Sequence, residues 1–165
     1  MNDMYIRPTE LSELDTVMKI YERAQQFMVE SGNPTQWKKG HPSRDMIEKD
    51  ISLGRSFVCL KDEKIECVFM YEEGEDPTYS YIEDGEWPND FAYGVLHRIA
   101  SAGNVKGIAS FCLSWCYEKC KNLRADTHRD NKVMQRVLQK NGFKRCGIIY
   151  IADGSPRIAY QKTEK

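Results

Sequence analysis

The sequence predicts an α/β fold: a central mixed β-sheet with about four helices on its faces. Three observations lead there. The second half alternates strand-like and helix-like segments. Cys67–Met70 is a continuous apolar run, the pattern of a strand covered on both faces. The stretch from Tyr93 to Lys121 (YGVLHRIASAGNVKGIASFCLSWCYEKCK) reads as a strand, a loop rich in small residues, and a helix. A crossover of this kind should be right-handed, and ligands in such sheets gather at the carboxyl ends of strands.

Tyr5 to Arg7 reads as a short strand ended by Pro8. A long helix is expected from about Ser12 to Ser31. Leu14, Val17, Met18, Tyr21, Ala24, Gln25 and Met28 follow helical spacing. Ser12 is the expected N-cap, with Asp15 three residues on, and Gly32 followed by Asn33-Pro34 ends the helix. Asn33 to Pro42 is an irregular loop whose Trp37 either lines a pocket or plugs the core edge. Ser43 to Ser52 reads as a second helix, stopped by Gly54. Its apolar residues are few, chiefly Met46, Ile47 and Ile51, so a surface position is expected.

Arg55–Leu60 and Lys64–Tyr71 form a hairpin across Lys61-Asp62-Glu63. Glu72 to Asp90 is acidic and turn-rich, and long for a plain connection. Tyr79, Tyr81 and Trp87 imply that part of it packs. Val95, His97 and Ile99 then alternate along a strand. The loop Ser101–Lys106 carries Gly103 and Asn104, both at ease at positive φ. A helix begins near Gly107, with Ile108, Phe111, Cys112 and Trp115 as its apolar stripe. Leu123–Thr127 is a further strand and His128–Asp130 a turn. Asn131–Lys140 is a helix with Val133, Met134, Val137 and Leu138 inward, ended by Asn141-Gly142. Lys144–Ile151 and Arg157–Gln161 are the last strands.

A length of 165 residues fits one domain over 1–165 with a sizeable core. Lys plus Arg number 24 against 25 Asp plus Glu, which removes any global bias toward nucleic acid or an anionic membrane surface. No apolar run approaches a membrane span, and MNDMYIRP lacks a signal-peptide core, so a cytoplasmic protein is expected. None of the six cysteines forms a C-x-x-C pair. Cys112, Cys116 and Cys120 share one helical side, and reduced core packing explains them better than zinc, so no metal is expected.

The loop before the third helix is the strongest chemical signal. A loop feeding a helix N-terminus presents unpaired N–H groups and the positive end of the dipole, an arrangement suited to phosphate. Gly107 and Ala109 lack bulk where a pyrophosphate would approach, and Lys106 adds charge at the rim. The same glycines would also serve a plain turn. The spacing Gly103-x-x-x-Gly107 matches neither G-x-x-x-x-G-K-[ST] nor G-x-G-x-x-G.

Over nearly its whole length the chain resembles the GNAT superfamily of acyl-CoA-dependent N-acetyltransferases. The opening Tyr5-Ile6-Arg7-Pro8 with two helices, the hairpin Phe57–Tyr71, and a [QR]-x-x-G-x-[GA] loop read here as Asn104-Val105-Lys106-Gly107-Ile108-Ala109 carry the resemblance. So do the strand Leu123–Thr127, the helix opened by Asn131, and its ending at Gly142-Phe143. The resemblance implies a GNAT-like fold whose core strands, around Leu96–Ala100 and Leu123–Thr127, splay apart, and acetyl-CoA as the acyl donor. It implies that the backbone of Arg98, Ile99 and Ala100 pairs with the pantetheine arm. The N–H groups of Asn104, Val105, Lys106, Gly107, Ile108 and Ala109 would hold the pyrophosphate. Asn131 and Met134 would contact the pantetheine or the thiol end. Two departures stand out: Asn104 replaces the usual Arg or Gln, and Leu138 occupies the position where many members carry a tyrosine acid.

The chemistry implied is direct attack of a primary amine on the thioester. A carboxylate or imidazole would take the amine's proton, and strand backbone would polarise the carbonyl. His97, beside the implied thioester site, is a candidate general base, against an ordinary core histidine. His128 is a second candidate, against a turn histidine capping the following helix. Tyr150 and Cys146 are candidate substitutes for the missing tyrosine, alongside water. Arg98 is better explained by a salt bridge to a helix carboxylate, and Asp126 by a structural hydrogen bond. Tyr21, Gln25 and Trp37 are the candidate acceptor-pocket residues, with core packing the competing explanation, which prevails for Met28. Glu72, Glu73 and Glu75 read as a solvated acidic rim that favours a cationic amine. The partners expected are a small-molecule or peptide amine and, by default, a second copy in a homodimer. The alternative is a non-catalytic acyl-CoA-binding module of the same fold, which Leu138 keeps open. A nucleic-acid role for the helix Asn131–Lys140 conflicts with the near-neutral charge.

Overall fold

The computed structural model describes residues 3–164. In chain order the elements are β1 (Met4–Pro8), α1 (Leu14–Glu30), α2 (Arg44–Ser52), β2 (Ser56–Lys61), β3 (Lys64–Glu73) and β4 (Gly94–Ser101). There follow α3 (Ile108–Cys120), β5 (Asn122–Thr127), α4 (Lys132–Lys140), β6 (Lys144–Tyr150) and β7 (Pro156–Thr163). The strands form one mixed sheet in the order β1-β2-β3-β4-β5-β7-β6. The expected α/β architecture with a mixed sheet and four helices is therefore the one observed, with ends displaced by about two residues at most. Among the described residues, no helix is long and apolar enough to cross a membrane. The chain divides into two compact units: one runs up to Tyr71 and adds His97–Cys112, the other comprises Glu72–Leu96 and the chain from Leu113.

In the first unit β1, β2 and β3 are antiparallel, with Tyr5 opposite Leu60 and Cys59 opposite Cys67. The apolar face of α1 buries Leu14, Val17, Ile20, Tyr21 and Ala24. Leu14, Val17 and Ile20 each contribute about 1.5–3 kcal/mol by leaving water. Ser12 is not the N-cap of α1. It lies in a 3₁₀ turn, Leu11–Glu13, closed by a capping box between Glu10 and Glu13. Arg7 decides this outcome. Its Nη2 lies 2.7 Å from Glu13 Oε2, while Glu13 Oε1 accepts the Glu10 N–H at 2.9 Å. The hydrogen bond from Arg7 also holds the Glu13 carboxyl below its ordinary range.

α2 lies at the surface as expected, with Arg44, Asp45, Glu48, Lys49 and Ser52 exposed, but its inner face buries more than an apolar residue. Ile47 is fully buried, and so is Asp50, an acid on the same helix face. Three cysteines, Cys59, Cys67 and Cys112, are buried thiols in this unit. The Cys112 thiol is held far above its usual range, first by contact with Cys59 and Cys67 and then by burial, so it stays protonated and packs as a small core residue.

In the second unit β4 starts parallel to β5, with Gly94 opposite Leu123 and Val95 opposite Arg124. β5, β7 and β6 are antiparallel neighbours, with Thr127 and Ile148 both opposite Ile158. The acidic connection after β3 is packed at several points. Arg124 is buried, its guanidinium stacked 4.0 Å from the Trp87 ring and 3.9 Å from that of Tyr93. It also donates to the Asn89 carbonyl at 2.8 Å and to Gln161 Oε1 at 3.0 Å. Glu83 exchanges two backbone hydrogen bonds with Ile148, at 3.0 and 2.8 Å, so the connection covers part of the β6 edge. On α4, Leu138 is buried as expected, but Val133 in the first turn is exposed.

Candidate functional site

The second half of β4 belongs to the first unit. Arg98 adopts φ +53°, a conformation rare for a non-glycine residue and one that kinks the strand. Its carbonyl accepts the Tyr21 hydroxyl at 2.9 Å. Its guanidinium meets Asp50 through both oxygens, with Nη2–Oδ2 at 2.8 Å, Nη2–Oδ1 at 3.0 Å and Nε–Oδ2 at 3.1 Å. Arg55 Nε adds a bond to Asp50 Oδ1 at 2.8 Å. The helix carboxylate expected for Arg98 is thus Asp50, and two guanidinium groups flank one buried carboxylate. Tyr21 is buried, which holds its phenol far above the usual range and fixes it as a hydrogen-bond donor. Ile99 is partly buried and Ala100 buried beyond the kink.

β4 leads into the loop before α3. Gly103 has φ +83° and Gly107 φ +77°, so both glycines use backbone freedom that other residues lack. They differ in surroundings. A side chain at Gly103 would place its Cβ 2.1 Å from Arg23 Nη2, whereas nothing lies within 4 Å of the same position at Gly107. The Asn104 side chain is turned to Glu66 Oε1, at 3.1 Å, and the Ala102 N–H donates to the Glu66 carbonyl. Lys106 is exposed, Val105 and Ala109 are partly buried, and Ile108 is buried under the loop. Phe111 N–H donates to the Gly107 carbonyl at 3.1 Å, and α3 then runs for 13 residues. A helix of that length presents its first N–H groups and its positive dipole end to whatever approaches Gly107. The backbone there is open, polar and cationic, which suits an oxyanion.

The candidate acceptor residues lie in the same unit. Trp37 is buried, its ring 5.8 Å from that of Tyr21 and 6.0 Å from that of His41. Gln25 Nε2 reaches the Trp37 carbonyl at 3.5 Å. His97, on β4 directly before Arg98, is partly buried.

The remaining candidates lie in the second unit. His128 is buried and its Nδ1 accepts the Asp130 N–H at 3.0 Å, so the proton of the neutral ring sits on Nε2. Burial and then the nearby Arg157 hold this imidazole below its ordinary pKa. Tyr150 is exposed, and its hydroxyl donates a hydrogen bond to Glu83 that raises the phenol pKa. Burial pushes the Cys146 thiol up to about 11. Asp126 accepts the buried Tyr79 hydroxyl at 2.7 Å, the structural role expected of it. Asn131 Oδ1 caps α4 by accepting the Met134 N–H at 2.9 Å. Glu72, Glu73 and Glu75 are exposed.

Asp50, Arg23 and Glu66 escaped the sequence reading. For Asp50 a signal existed: it stands three residues after Ile47 and beside Ile51, an acid in line with the few apolar residues of α2. Arg23 and Glu66 carried none, because their roles depend on segments far away in the chain.

No family model matches the chain, and no curated protein matches it. Solved structures do. An acetyltransferase of the GNAT family from Streptococcus agalactiae 2603 is 32% identical, with 98% of this chain and 96% of that chain covered at a TM-score of 0.89. A GNAT-family acetyltransferase from Bacillus cereus ATCC 10987 is 21% identical over 98% of this chain and 99% of that one, with a TM-score of 0.61. An N-acetyltransferase from Staphylococcus aureus Mu50 is 20% identical over the same shares, with a TM-score of 0.63. The last two likenesses show the fold alone; the first reaches the family.

Proposed function

From the premise that this chain belongs to the GNAT family of acetyltransferases, we propose that it moves the acetyl group of acetyl-CoA to a primary amine by direct attack. The observation that supports the donor is the loop before α3. Gly107 at φ +77° leaves its backbone uncovered at the N-terminus of a 13-residue helix, with Lys106 exposed beside it. A diphosphate fits such a place, because close approach to N–H groups needs the missing side chain. In this reading the N–H groups of residues 104–109 hold the pyrophosphate and the β4 backbone beyond the Arg98 kink holds the pantetheine arm. Bound acetyl-CoA supplies an activated thioester carbonyl.

The protein's own residues then handle protons and position. His97 accepts the proton of the attacking amine at a ring nitrogen. Asp50 and Tyr21 fix the kink of β4 from the side chain and the carbonyl of Arg98. The leaving thiolate, whose conjugate acid has a thiol-like pKa of about 8.5, takes its proton from water. The acidic connection after β3 favours an amine that arrives as a cation.

Thermal unfolding with acetyl-CoA, against NADH and ATP, tests the donor. Ligand at about a hundred times its dissociation constant adds roughly 2.7 kcal/mol of stability. A shift specific to acetyl-CoA, followed by thiol release with an amine, is the expected result. No shift at millimolar acetyl-CoA would end this reading.

A further inference from the structure

Arg23, on the outward side of α1, lies over the loop that joins β4 to α3. Its Nη1 donates to the Ser101 carbonyl at 3.3 Å. Its Nη2 occupies the space that a side chain at Gly103 would need. Gly103 therefore serves a second purpose besides its positive φ: it lets a guanidinium rest on the loop backbone.

That guanidinium has no carboxylate partner among the described residues. Other arginines of this unit do: Arg7 pairs with Glu13, Arg44 with Asp15, and Arg55 and Arg98 with Asp50. Asn104, at the loop position where the resemblance calls for Arg or Gln, is turned away to Glu66. Asn104 thus offers no side-chain charge to a ligand, while a cation from another element rests on the backbone at Ser101 and Gly103, just before it. An arginine carries five N–H donors in a planar fork suited to phosphate, and one hydrogen bond to Ser101 leaves most of them open.

We propose that Arg23 is a phosphate-binding residue of this loop, replacing the charge that Asn104 does not supply. The inference rests on the acetyl-CoA reading above and identifies which part of the donor is gripped. A coenzyme A donor offers two phosphate sources, the pyrophosphate and the 3′-phosphate, and the test separates them.

The experiment is calorimetric titration of the wild-type protein, Arg23→Gln and Arg23→Lys with acetyl-CoA, acetyl-3′-dephospho-CoA and acetyl-pantetheine at two salt concentrations. Wild-type binding of acetyl-CoA establishes the donor independently of Arg23; its absence would overturn both readings. Arg23→Gln is expected to weaken acetyl-CoA by about tenfold and to flatten its salt dependence. Arg23→Lys should recover part of the loss. Acetyl-pantetheine, which has no phosphate, should bind all three proteins equally. A loss confined to acetyl-CoA assigns Arg23 to the 3′-phosphate; a loss shared with the dephospho form assigns it to the pyrophosphate. Unchanged acetyl-CoA affinity in Arg23→Gln overturns the proposal while leaving the donor in place. An equal loss of acetyl-pantetheine also overturns it, because the residue would then only hold the loop in shape.

Discussion

Arg98 and Asp50 meet through both carboxylate oxygens although 48 residues separate them in the chain, and Asp50 is almost wholly buried. The pair ties α2 to β4 where Arg98 turns to positive φ. A strained backbone residue persists only when its surroundings hold it, and here Asp50 holds the side chain while Tyr21 holds the carbonyl.

Asp50→Ala should therefore be among the most damaging single changes. It leaves two guanidinium groups, Arg98 and Arg55, without their shared anion. A loss of about 3–5 kcal/mol is expected for breaking a buried pair from one side. Asp50→Asn should cost less, since it keeps an acceptor. Urea unfolding of both variants checks the order; equal and small losses would show that the pair does not hold β4.

Gly107→Val addresses the loop. Space is free around a new side chain, so no clash is expected, but φ +77° strains a β-branched residue by roughly 1–3 kcal/mol. The variant should fold, with a lower midpoint, and fail to gain stability from acetyl-CoA. Normal acetyl-CoA binding by this variant would remove Gly107 from the donor site.

His97→Ala should separate chemistry from binding. Loss of a general base lowers turnover by about 10²–10⁴. Acetyl-CoA affinity, measured by calorimetry, should stay near the wild-type value. A variant that turns over as fast as the parent would exclude His97 as the base.

His128 sets a pH dependence whose sign follows from its environment. Burial and Arg157 depress its pKa, with Asp130 opposing and Arg129 adding to the effect. Folding therefore favours the neutral ring, and as pH falls the unfolded chain binds the proton first. This contribution to stability is complete above the ordinary value of 6.5 and is lost as pH drops from there through the depressed folded value. Urea unfolding at pH 7.5 and 5.5 should show the loss, and His128→Gln should flatten it. An identical loss in the variant would assign the dependence to other groups.

How much of this was legible beforehand varies by element. Local rules found α1, because Leu14, Val17 and Tyr21 repeat on one face, and found its stop at Gly32. They also found the Gly103–Gly107 loop, since a turn into a helix needs residues at ease at positive φ. They misplaced the start of α1, because the capping choice there depends on Arg7 from β1. They placed α2 at the surface, where most of it lies, but missed the burial of Asp50, because the reason for it lies on β4 and at Arg55.

By itself, the sequence determined the number and order of elements, the apolar face of α1, and a loop fit for an anion. These are properties of short windows, set by side-chain period and by the conformational freedom of glycine. The tertiary structure alone decided the kink at Arg98, the burial of Asp50, the turning of Asn104 toward Glu66 and the placement of Arg23 over Gly103. Each of those joins groups from different elements. A charge is buried, or left for a ligand, according to which partner the fold brings within hydrogen-bond reach.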